Sequence, residues 1–424
     1  MDVIVAGAGI GGLTMALSLH QAGIPVRVYE QARNLKALGV GINLQPNAVR
    51  ELDELGLAVQ LMRVGNTTDA LCFFNKFGQL IWREPRGTAA GYRWPQISIH
   101  RGALQMLLFD AVCQRLGRDS VRTGSALASF AEEDGQVVAW FADRNGRPAG
   151  SDAASILVGA DGIHSMVRRR LIPREGAPRF AQQILWRAAV DAEPFLGGHT
   201  MIIAGHFHRR VIIYPMGPAS EGRLKTNWVV QMTVDDAMPG REDWNRKVSA
   251  EKFFPAIADW RFDWLDVAAL VERTEEIFEF PLVDRDPVEN WSFGRVTLIG
   301  DAAHPMQPTG SQAGSQAIID ARLLTQALAT MPDPVSALHH YDATRRPAMN
   351  DVTLRNRKLG PEAALQVVEE RAPNGFTRLE EVISRAELED ISRSFHAAAG
   401  LDAETVNNRP SFVRRVPIPG GPDG

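Results

Sequence analysis

The first 30 residues constrain the fold most strongly, because they combine a strand, a glycine-rich turn, a helix and a second strand. Residues 3–6 form a short apolar run that is typical of a buried parallel strand. Apolar residues then recur at helical spacing over 10–20, and Gly23 follows as a typical helix-ending glycine. Residues 26–30 form the next apolar run, and Glu30 ends it. This order predicts a parallel sheet of the dinucleotide-binding kind.

The turn between the first strand and the helix has the spacing Gly7-x-Gly9-x-x-Gly12. In a dinucleotide site, the position of Gly7 allows the tight turn and that of Gly9 lets the backbone approach a pyrophosphate. Gly12 allows close packing of the helix, and Glu30 can accept a hydrogen bond from a ribose hydroxyl. The glycines alone are a weak signal, but a strand, a helix and an acid in this order strengthen the prediction.

Composition excludes several other classes of protein. Of the 424 residues, 45% are hydrophobic and 23% are charged, which is typical of a globular chain and not of a disordered one. A net charge of −4 gives no reason to expect nucleic acid as a partner. The two cysteines, Cys72 and Cys113, imply no disulfide framework, and no apolar run approaches the roughly 20 residues of a membrane span. We therefore expect a cytoplasmic protein, a monomer or homodimer, without a metal site.

Two later strands also end near a carboxylate. The run 155–158 leads to Asp161, and the run 295–299 leads to Asp301. Ligands of open α/β sheets bind at the carboxyl ends of such strands. A helix that begins after Gly310 would offer free N–H groups to an electron-rich group. Together with the N-terminal turn, these features indicate a flavin dinucleotide that is held at both ends.

The domain organisation follows from a change of pattern in the middle of the chain. Residues from about 180 to 276 form strands without intervening helices, which predicts an antiparallel sheet inserted into the nucleotide-binding domain. We expect a discontinuous FAD-binding domain at 1–72, 98–179 and 277–355, and a substrate-binding sheet at 73–97 and 180–276. A helical region would occupy 356–410 and a tail 411–424. The fold class is α/β: Rossmann-like, with an inserted sheet and a C-terminal helical region.

Three motifs in order resemble the signatures of the single-component FAD-dependent aromatic hydroxylases, or class A flavoprotein monooxygenases. This family includes the salicylate and 4-hydroxybenzoate hydroxylases. The motifs are Gly7-x-Gly9-x-x-Gly12 with Glu30, Gly159-Ala160-Asp161-Gly162-x-x-Ser165-x-Val167-Arg168, and Gly300-Asp301-Ala302-Ala303-His304-Pro305. The resemblance covers residues 1 to about 355. Within the family, the stretches 39–46 and 84–102 are most similar to members that hydroxylate a phenazine carboxylate.

The resemblance implies a role for several residues. It makes Gly7, Gly9, Gly12, Glu30 and Arg101 contacts to the ADP and ribityl parts of FAD, and Asp301 would bind the ribityl chain. Asp161 and Arg168 belong to the signature associated with FAD and the nicotinamide cofactor. The pyrimidine edge of the flavin would lie against Gly310, Ser311, Gln312 and Ala313, and Pro305 near its reactive face. The family often has an asparagine in the flavin-facing helix, whereas Ser315 lies near that place here.

Membership would also imply the chemistry. NAD(P)H would reduce FAD, O2 would add at flavin C4a, and the hydroperoxide would hydroxylate an electron-rich ring. A mostly apolar pocket would keep water out. Its expected lining is Trp94, Trp186, Arg187, His206, Tyr214 and Met216.

Two of these residues are candidates for substrate contacts, and each has an alternative interpretation. Arg187 would anchor a substrate carboxylate, or else lie on an exposed strand face. Tyr214 would polarise a phenol or heterocycle, or else only pack its ring. No residue is assigned as an acid or base.

Two other functions remain open at this stage. A flavin-dependent halogenase shares the glycine motif, but the sequence lacks the Trp-x-Trp-x-Ile-Pro signature, since residues 260–264 have different spacing. A non-catalytic flavin-binding protein is the other alternative. We therefore expect a hydroxylase of a small aromatic or heteroaromatic molecule, using FAD, NAD(P)H and O2.

Overall fold

The computed structural model describes residues 1–37, 39–219, 221–235, 246–358, 360–396 and 402–413. These residues form an α/β protein with a parallel sheet, a larger mixed sheet and C-terminal helices. The strands, in chain order, are β1 Val3–Ala6, β2 Val26–Glu30, β3 Gly41–Leu44, β4 Asn66–Thr68, β5 Ala70–Phe74, β6 Leu80–Pro85, β7 Gln96–His100, β8 Val121–Thr123, β9 Ala126–Glu133, β10 Gln136–Ala142, β11 Pro148–Ala154, β12 Ile156–Gly159, β13 Arg179–Ala192, β14 Thr200–His206, β15 Arg209–Pro218, β16 Leu224–Thr233, β17 Lys247–Val248, β18 Arg261–Phe262, β19 Leu265–Asp266, β20 Ile277–Asp284 and β21 Val296–Leu298.

Helices surround these strands. The α-helices, in chain order, are α1 Ile10–Gln21, α2 Pro46–Glu54, α3 Ala58–Val64, α4 Arg101–Leu116, α5 Met166–Leu171, α6 Val267–Glu272, α7 Ala313–Thr330, α8 Pro334–Asn356, α9 Ala363–Arg371, α10 Arg385–His396 and α11 Ala403–Asn408. Short 3₁₀ turns include Gly300–Ala302, Thr309–Ser311 and Gly360–Glu362. Among the described residues, no helix is both long and apolar enough to cross a membrane.

The parallel sheet has the strand order β21-β12-β1-β2-β8, and each pair of neighbours is parallel. Its central strands are fully buried because helices cover the apolar side chains of both faces. The strand, turn and helix predicted for the N-terminus are therefore present. Since β1, β12 and β21 run in the same direction, their carboxyl ends bring Gly7, Asp161 and Asp301 to one edge of the sheet.

The larger sheet has eight strands in the order β17-β20-β13-β16-β15-β14-β5-β6, and all neighbouring pairs except β14 with β5 are antiparallel. The predicted inserted sheet is thus present, although β5 and β20 extend it beyond the boundaries expected for that domain. One face packs its apolar side chains against the segment 253–271. The other face lines a cavity and, towards β5, packs against α9 and α10. The division into domains stays a prediction, and residues 414–424 of the expected tail lie outside the described residues.

Candidate active site

The glycine-rich turn after β1 is held by close backbone contacts. Gly7 has φ +107°, and a Cβ there would lie 2.4 Å from the carbonyl oxygen of Ala160. A Cβ at Gly12 would lie 2.0 Å from the carbonyl oxygen of Gly7. At Gly9, by contrast, a Cβ would have no described atom within 4 Å. The fold therefore requires Gly7 and Gly12, whereas Gly9 borders open space at the N-terminus of α1.

Glu30 ties the end of β2 to this turn. Its carboxylate accepts hydrogen bonds from the backbone N–H groups of Ala8 and Ala32, each at 2.8 Å. Each carboxylate oxygen can accept a further hydrogen bond. Glu30 thus lies beside the glycine-rich turn, and its contact to a ribose hydroxyl stays a prediction.

Asp161 and Arg168 make extensive internal contacts. Asp161 accepts hydrogen bonds from the Ser165 hydroxyl at 2.5 Å and from the N–H of Met166 at 2.7 Å, so it holds Ser165, the N-cap residue of α5, and the first N–H of that helix. The buried Arg168 donates to the carbonyl oxygens of Ala302 and Ala303 at 3.0 and 2.6 Å. Arg168 therefore supports the segment that follows β21, and a cofactor role for Asp161 stays a prediction.

A buried ionic network fixes that same segment. The Asp320 carboxylate lies 2.5 Å from Nε2 of His304 and 2.6 Å from Nε of Arg345, and it accepts the N–H of Gly300 at 2.9 Å. Burial alone would raise the pKa of Asp320, but His304 and Arg345 outweigh it and lower this pKa to about 2. Asp320 is therefore ionised and anchors the turn from which the exposed Asp301 projects.

The segment before α7 has an unusual backbone. Gly310 and Ser311 have φ +70° and +55°, in the left-handed region. No side chain caps the described start of α7, so first-turn N–H groups stay available. Ser315 Oγ accepts the N–H of Gln45 at 2.9 Å, which ties α7 to the end of β3. The serine found near the position of the family asparagine therefore has a structural contact.

A cavity of about 180 Å³ lies between this segment and the eight-stranded sheet. Its sheet wall is mostly aliphatic, and the segments 41–45 and 308–314, together with Arg86, Gln96 and Glu362, form the rest of the lining. The lining side chains from the sheet share one face, as the two-residue period of a strand requires. They are Leu71, Leu185, Arg187, Met201, Ile203, Arg210, Ile212, Tyr214, Val229, Gln231 and Leu282.

Arg187 and Tyr214 meet on this wall around Gly41. Arg187 donates from Nη2 to the Gly41 carbonyl oxygen at 2.9 Å, and its guanidinium lies 5.4 Å from the Phe280 ring centroid. A Cβ at Gly41 would lie 2.8 Å from the Tyr214 hydroxyl oxygen. Burial lowers the pKa of Arg187 to about 10, and burial raises the pKa of Tyr214 well above its usual value. At neutral pH this part of the cavity therefore presents a cation and a protonated phenol.

Other residues expected in the lining lie elsewhere. Trp186 neighbours Arg187 and so faces the opposite side of the sheet, where its Nε1 donates to Glu279 at 2.9 Å. Trp94 donates to Asp53 at 2.9 Å. His206 and Met216 are also not among the described lining residues. Pro305 is buried and is not in this lining either, while Pro308 is, so a position of Pro305 near the reactive face of the flavin stays a prediction.

Arg101 lies at the start of α4 with an exposed side chain. Its charge contributes to the lowered pKa of Arg187, which places the two cations near each other. A Cβ at Gly39 would lie 3.7 Å from the Arg101 side chain.

Residues 1–356 match the FAD binding domain family. The chain belongs to this family. It is 43% identical over 362 residues to phenazine 1,6-dicarboxylic acid hydroxylase PhzS of Lysobacter antibioticus, covering 84% of this chain and 89% of the relative. It is 30% identical over 373 residues to 3-hydroxybenzoate 6-hydroxylase of Polaromonas naphthalenivorans, covering 85% and 87%. As a member of the FAD binding domain family with these relatives, the protein is an FAD-dependent monooxygenase.

The fold is similar to that of a solved structure. The Klebsiella pneumoniae HpxO structure, complexed with FAD and uric acid, superposes with a TM-score of 0.73 at 23% identity and covers 96% of both chains. The predicted family, fold class and FAD cofactor are confirmed, and the comparisons give no support to the halogenase alternative.

Sequence reasoning missed Asp320, Arg345, Arg210 and Glu362. A signal was available only for the residues on helices, where a charged residue takes the place of an apolar one; Arg210 lies on β15 and Glu362 on a 3₁₀ turn. Asp320, for example, follows the apolar residues 317–319.

Proposed function

We propose that the enzyme uses NAD(P)H and O2 to hydroxylate a small aromatic or heteroaromatic carboxylate. The observation that carries this proposal is the aliphatic cavity, which contains the cationic Arg187 and lies beside the segment 308–314. The names of two relatives support the same class, because each describes a hydroxylase of an aromatic or heteroaromatic carboxylic acid. We place the enzyme in the cytoplasm as a monomer or homodimer, and its free cysteines agree with a reducing compartment.

The residues at the edge of the parallel sheet fit FAD. Gly9 leaves space for a pyrophosphate at the start of α1, and the Glu30 carboxylate can accept a hydrogen bond from a ribose hydroxyl. Asp301 is exposed on the turn that Asp320 holds in place, and it would bind the ribityl chain. Arg101 would neutralise phosphate charge.

At the other end of the cofactor, Gly310–Ala313 would lie against the pyrimidine edge of the flavin. The N–H groups at the start of α7 favour negative charge at that edge. The bound flavin supplies the redox and oxygen chemistry, and the protein supplies binding, orientation and exclusion of water.

Arg187 would bind the substrate carboxylate. Its Nε is buried without a hydrogen-bond partner among the described residues, although Nη2 is bonded to Gly41. A buried cation without a carboxylate is unfavourable, so an anionic ligand would relieve that cost. Because its pKa of about 10 is well above neutral pH, Arg187 keeps its charge when the substrate arrives.

Tyr214 would act as a hydrogen-bond donor and not as a base. Burial raises its pKa, so the phenol keeps its proton at neutral pH. The aliphatic residues of the cavity wall would hold the ring and keep water away from the reacting atoms.

The test is NAD(P)H oxidation by the FAD-loaded enzyme against a panel of aromatic carboxylates and the matching carboxamides. We expect carboxylates to stimulate oxidation and to yield a product heavier by one oxygen atom. Arg187→Met should remove the preference for carboxylate over carboxamide. Equal response to both ligand sets in the unaltered enzyme would contradict the proposal.

A further inference from the structure

A second polar site lies in the same cavity, where Arg210 of β15 forms an ion pair with Glu362 of the 3₁₀ turn Gly360–Glu362. Nη1 of Arg210 lies 2.9 Å from Oε2 of Glu362. The two residues are only 5% and 7% exposed, so both are nine-tenths buried. Both line the cavity. Glu362 also lies beyond residues 1–356, the part of the chain that matches the family.

This pair has hydrogen-bonding capacity that the described residues do not fill. Nε and Nη1 of Arg210 and Oε2 of Glu362 lack a partner of acceptable hydrogen-bond geometry, despite the short ionic distance. Gln231 lies opposite Arg210 in the sheet, but its amide donates to Gln183 at 2.5 Å. Buried polar atoms are nearly always satisfied, and Nε of Arg210 has neither a hydrogen bond nor an ionic contact among the described residues, so this cavity wall indicates a polar ligand.

The sheet register separates this pair from the carboxylate site. Arg210, Ile212 and Tyr214 alternate along one face of β15, so Arg210 and Tyr214 are about 13 Å apart along the strand. Arg187 pairs with Val229, and Val229 pairs with Ile212, so Arg187 lies two strands from β15. Two strand spacings and two residues place the Cα atoms of Arg187 and Arg210 about 12 Å apart. A ligand that reaches both must be larger than one ring.

The charge of the pair selects the kind of group that it binds. Arg210 and Glu362 neutralise each other, so a second carboxylate would bring an uncompensated negative charge against Glu362. Arg210 offers N–H donors, and Glu362 offers an acceptor beside them. The complementary group is neutral and presents an acceptor next to a donor, as the C=O and N–H of a ring lactam do.

We propose that Arg210 and Glu362 are specificity-determining residues that bind a neutral donor–acceptor edge of a fused-ring substrate whose carboxylate is bound by Arg187. This inference rests on the proposed function, and it gives the C-terminal helical region a role in substrate choice.

The experiment compares two ligands of the FAD-loaded enzyme: a phenanthridine carboxylate and the phenanthridinone carboxylate of the same skeleton, which carries a lactam. Dissociation constants come from the change in flavin absorbance on titration. The unaltered enzyme should bind the lactam at least tenfold more tightly, as expected for hydrogen bonds to charged groups. In Arg210→Met/Glu362→Met, the two dissociation constants should converge. Replacement of a buried ion pair by apolar residues is often tolerated, so this variant should fold.

The matched control is Lys76→Met/Glu369→Met. That pair joins the segment after β5 to α9 at 2.7 Å but does not line the cavity, and the tenfold preference should persist. Glu362→Gln is a milder second variant and should reduce the preference without abolishing it. A lactam preference that survives in the Met/Met variant, or is absent from the unaltered enzyme while the plain carboxylate binds and is hydroxylated, would overturn this inference alone. Failure of both carboxylates to bind would overturn the proposed function as well.

Discussion

Gly9→Ala should separate folding from FAD binding. The backbone of Gly9, at φ −74° and ψ −176°, is accessible to alanine, and a Cβ there meets no described atom within 4 Å. Alanine is a poorer cap than glycine but lowers the entropy of the unfolded chain, so the unfolding free energy should change by less than about 1 kcal/mol. The added methyl would occupy the space through which a pyrophosphate approaches. We expect FAD affinity to fall at least tenfold, or about 1.4 kcal/mol.

The assay is titration of the apoprotein with FAD, followed by quenching of flavin fluorescence, together with thermal unfolding of the apoprotein. Gly11→Ala is the matched control. Its Cβ would lie 3.4 Å from Cβ of Ala317, so the added methyl would pack against α7 and would not enter the open space beside Gly9. This control should bind FAD like the unaltered protein. Gly9→Ala with unchanged FAD affinity, or equal loss in both variants, would refute the assigned position of the pyrophosphate.

Three further predictions concern the cavity and the network behind it. Arg187→Met should raise the KM for aromatic carboxylates at least tenfold while leaving the affinity of neutral carboxamide ligands unchanged, as measured by steady-state kinetics and ligand titration; equal weakening of both would argue against a carboxylate anchor. Tyr214→Phe should lower kcat or substrate affinity without shifting the pH profile between pH 6 and about 9, because its pKa is raised; a lost basic limb of that profile would contradict the donor role. Asp320→Asn should lower the free energy of unfolding by about 2 kcal/mol at neutral pH, measured by denaturant titration. The difference from the unaltered protein should shrink as pH falls from about 4 towards 2, because Asp320 stabilises the fold only while it is ionised. A difference that is constant with pH would be inconsistent with an ionised Asp320.

The cofactor end of the molecule could be predicted from the sequence because its determinants are local. The glycine spacing before α1 and the acid at the end of β2 lie within the first 30 residues, and each reports a backbone requirement at its own position. The order of strands and helices then favours the parallel sheet, and with it the shared edge at which Gly7 and Asp301 both lie.

The cavity could be predicted only in part. The strands without intervening helices predicted its sheet. The face of the sheet on which each side chain lies depends on the strand register, which the sequence alone does not determine. Trp186 and Arg187 show this: neighbours in sequence lie on opposite faces, so only one of the two lines the cavity.

Contacts between distant segments could not be predicted. Glu362 reaches Arg210 from a part of the chain that follows the family match, and Asp320 reaches His304 and Arg345 from a neighbouring helix. Their spacing in sequence has no period that would reveal these contacts, and only the folded arrangement of β15, α7 and α8 brings the charges together.

The central claim is that the FAD-loaded enzyme transfers one oxygen atom from O2 to an aromatic carboxylate. The most direct measurement is mass analysis of the product formed with NAD(P)H under isotopically labelled O2, and in a parallel reaction in labelled water under ordinary O2. We expect the product to carry one labelled oxygen in the first reaction and none in the second. Label from water, or oxidation of NAD(P)H that yields only hydrogen peroxide with every aromatic carboxylate tested, would contradict the account.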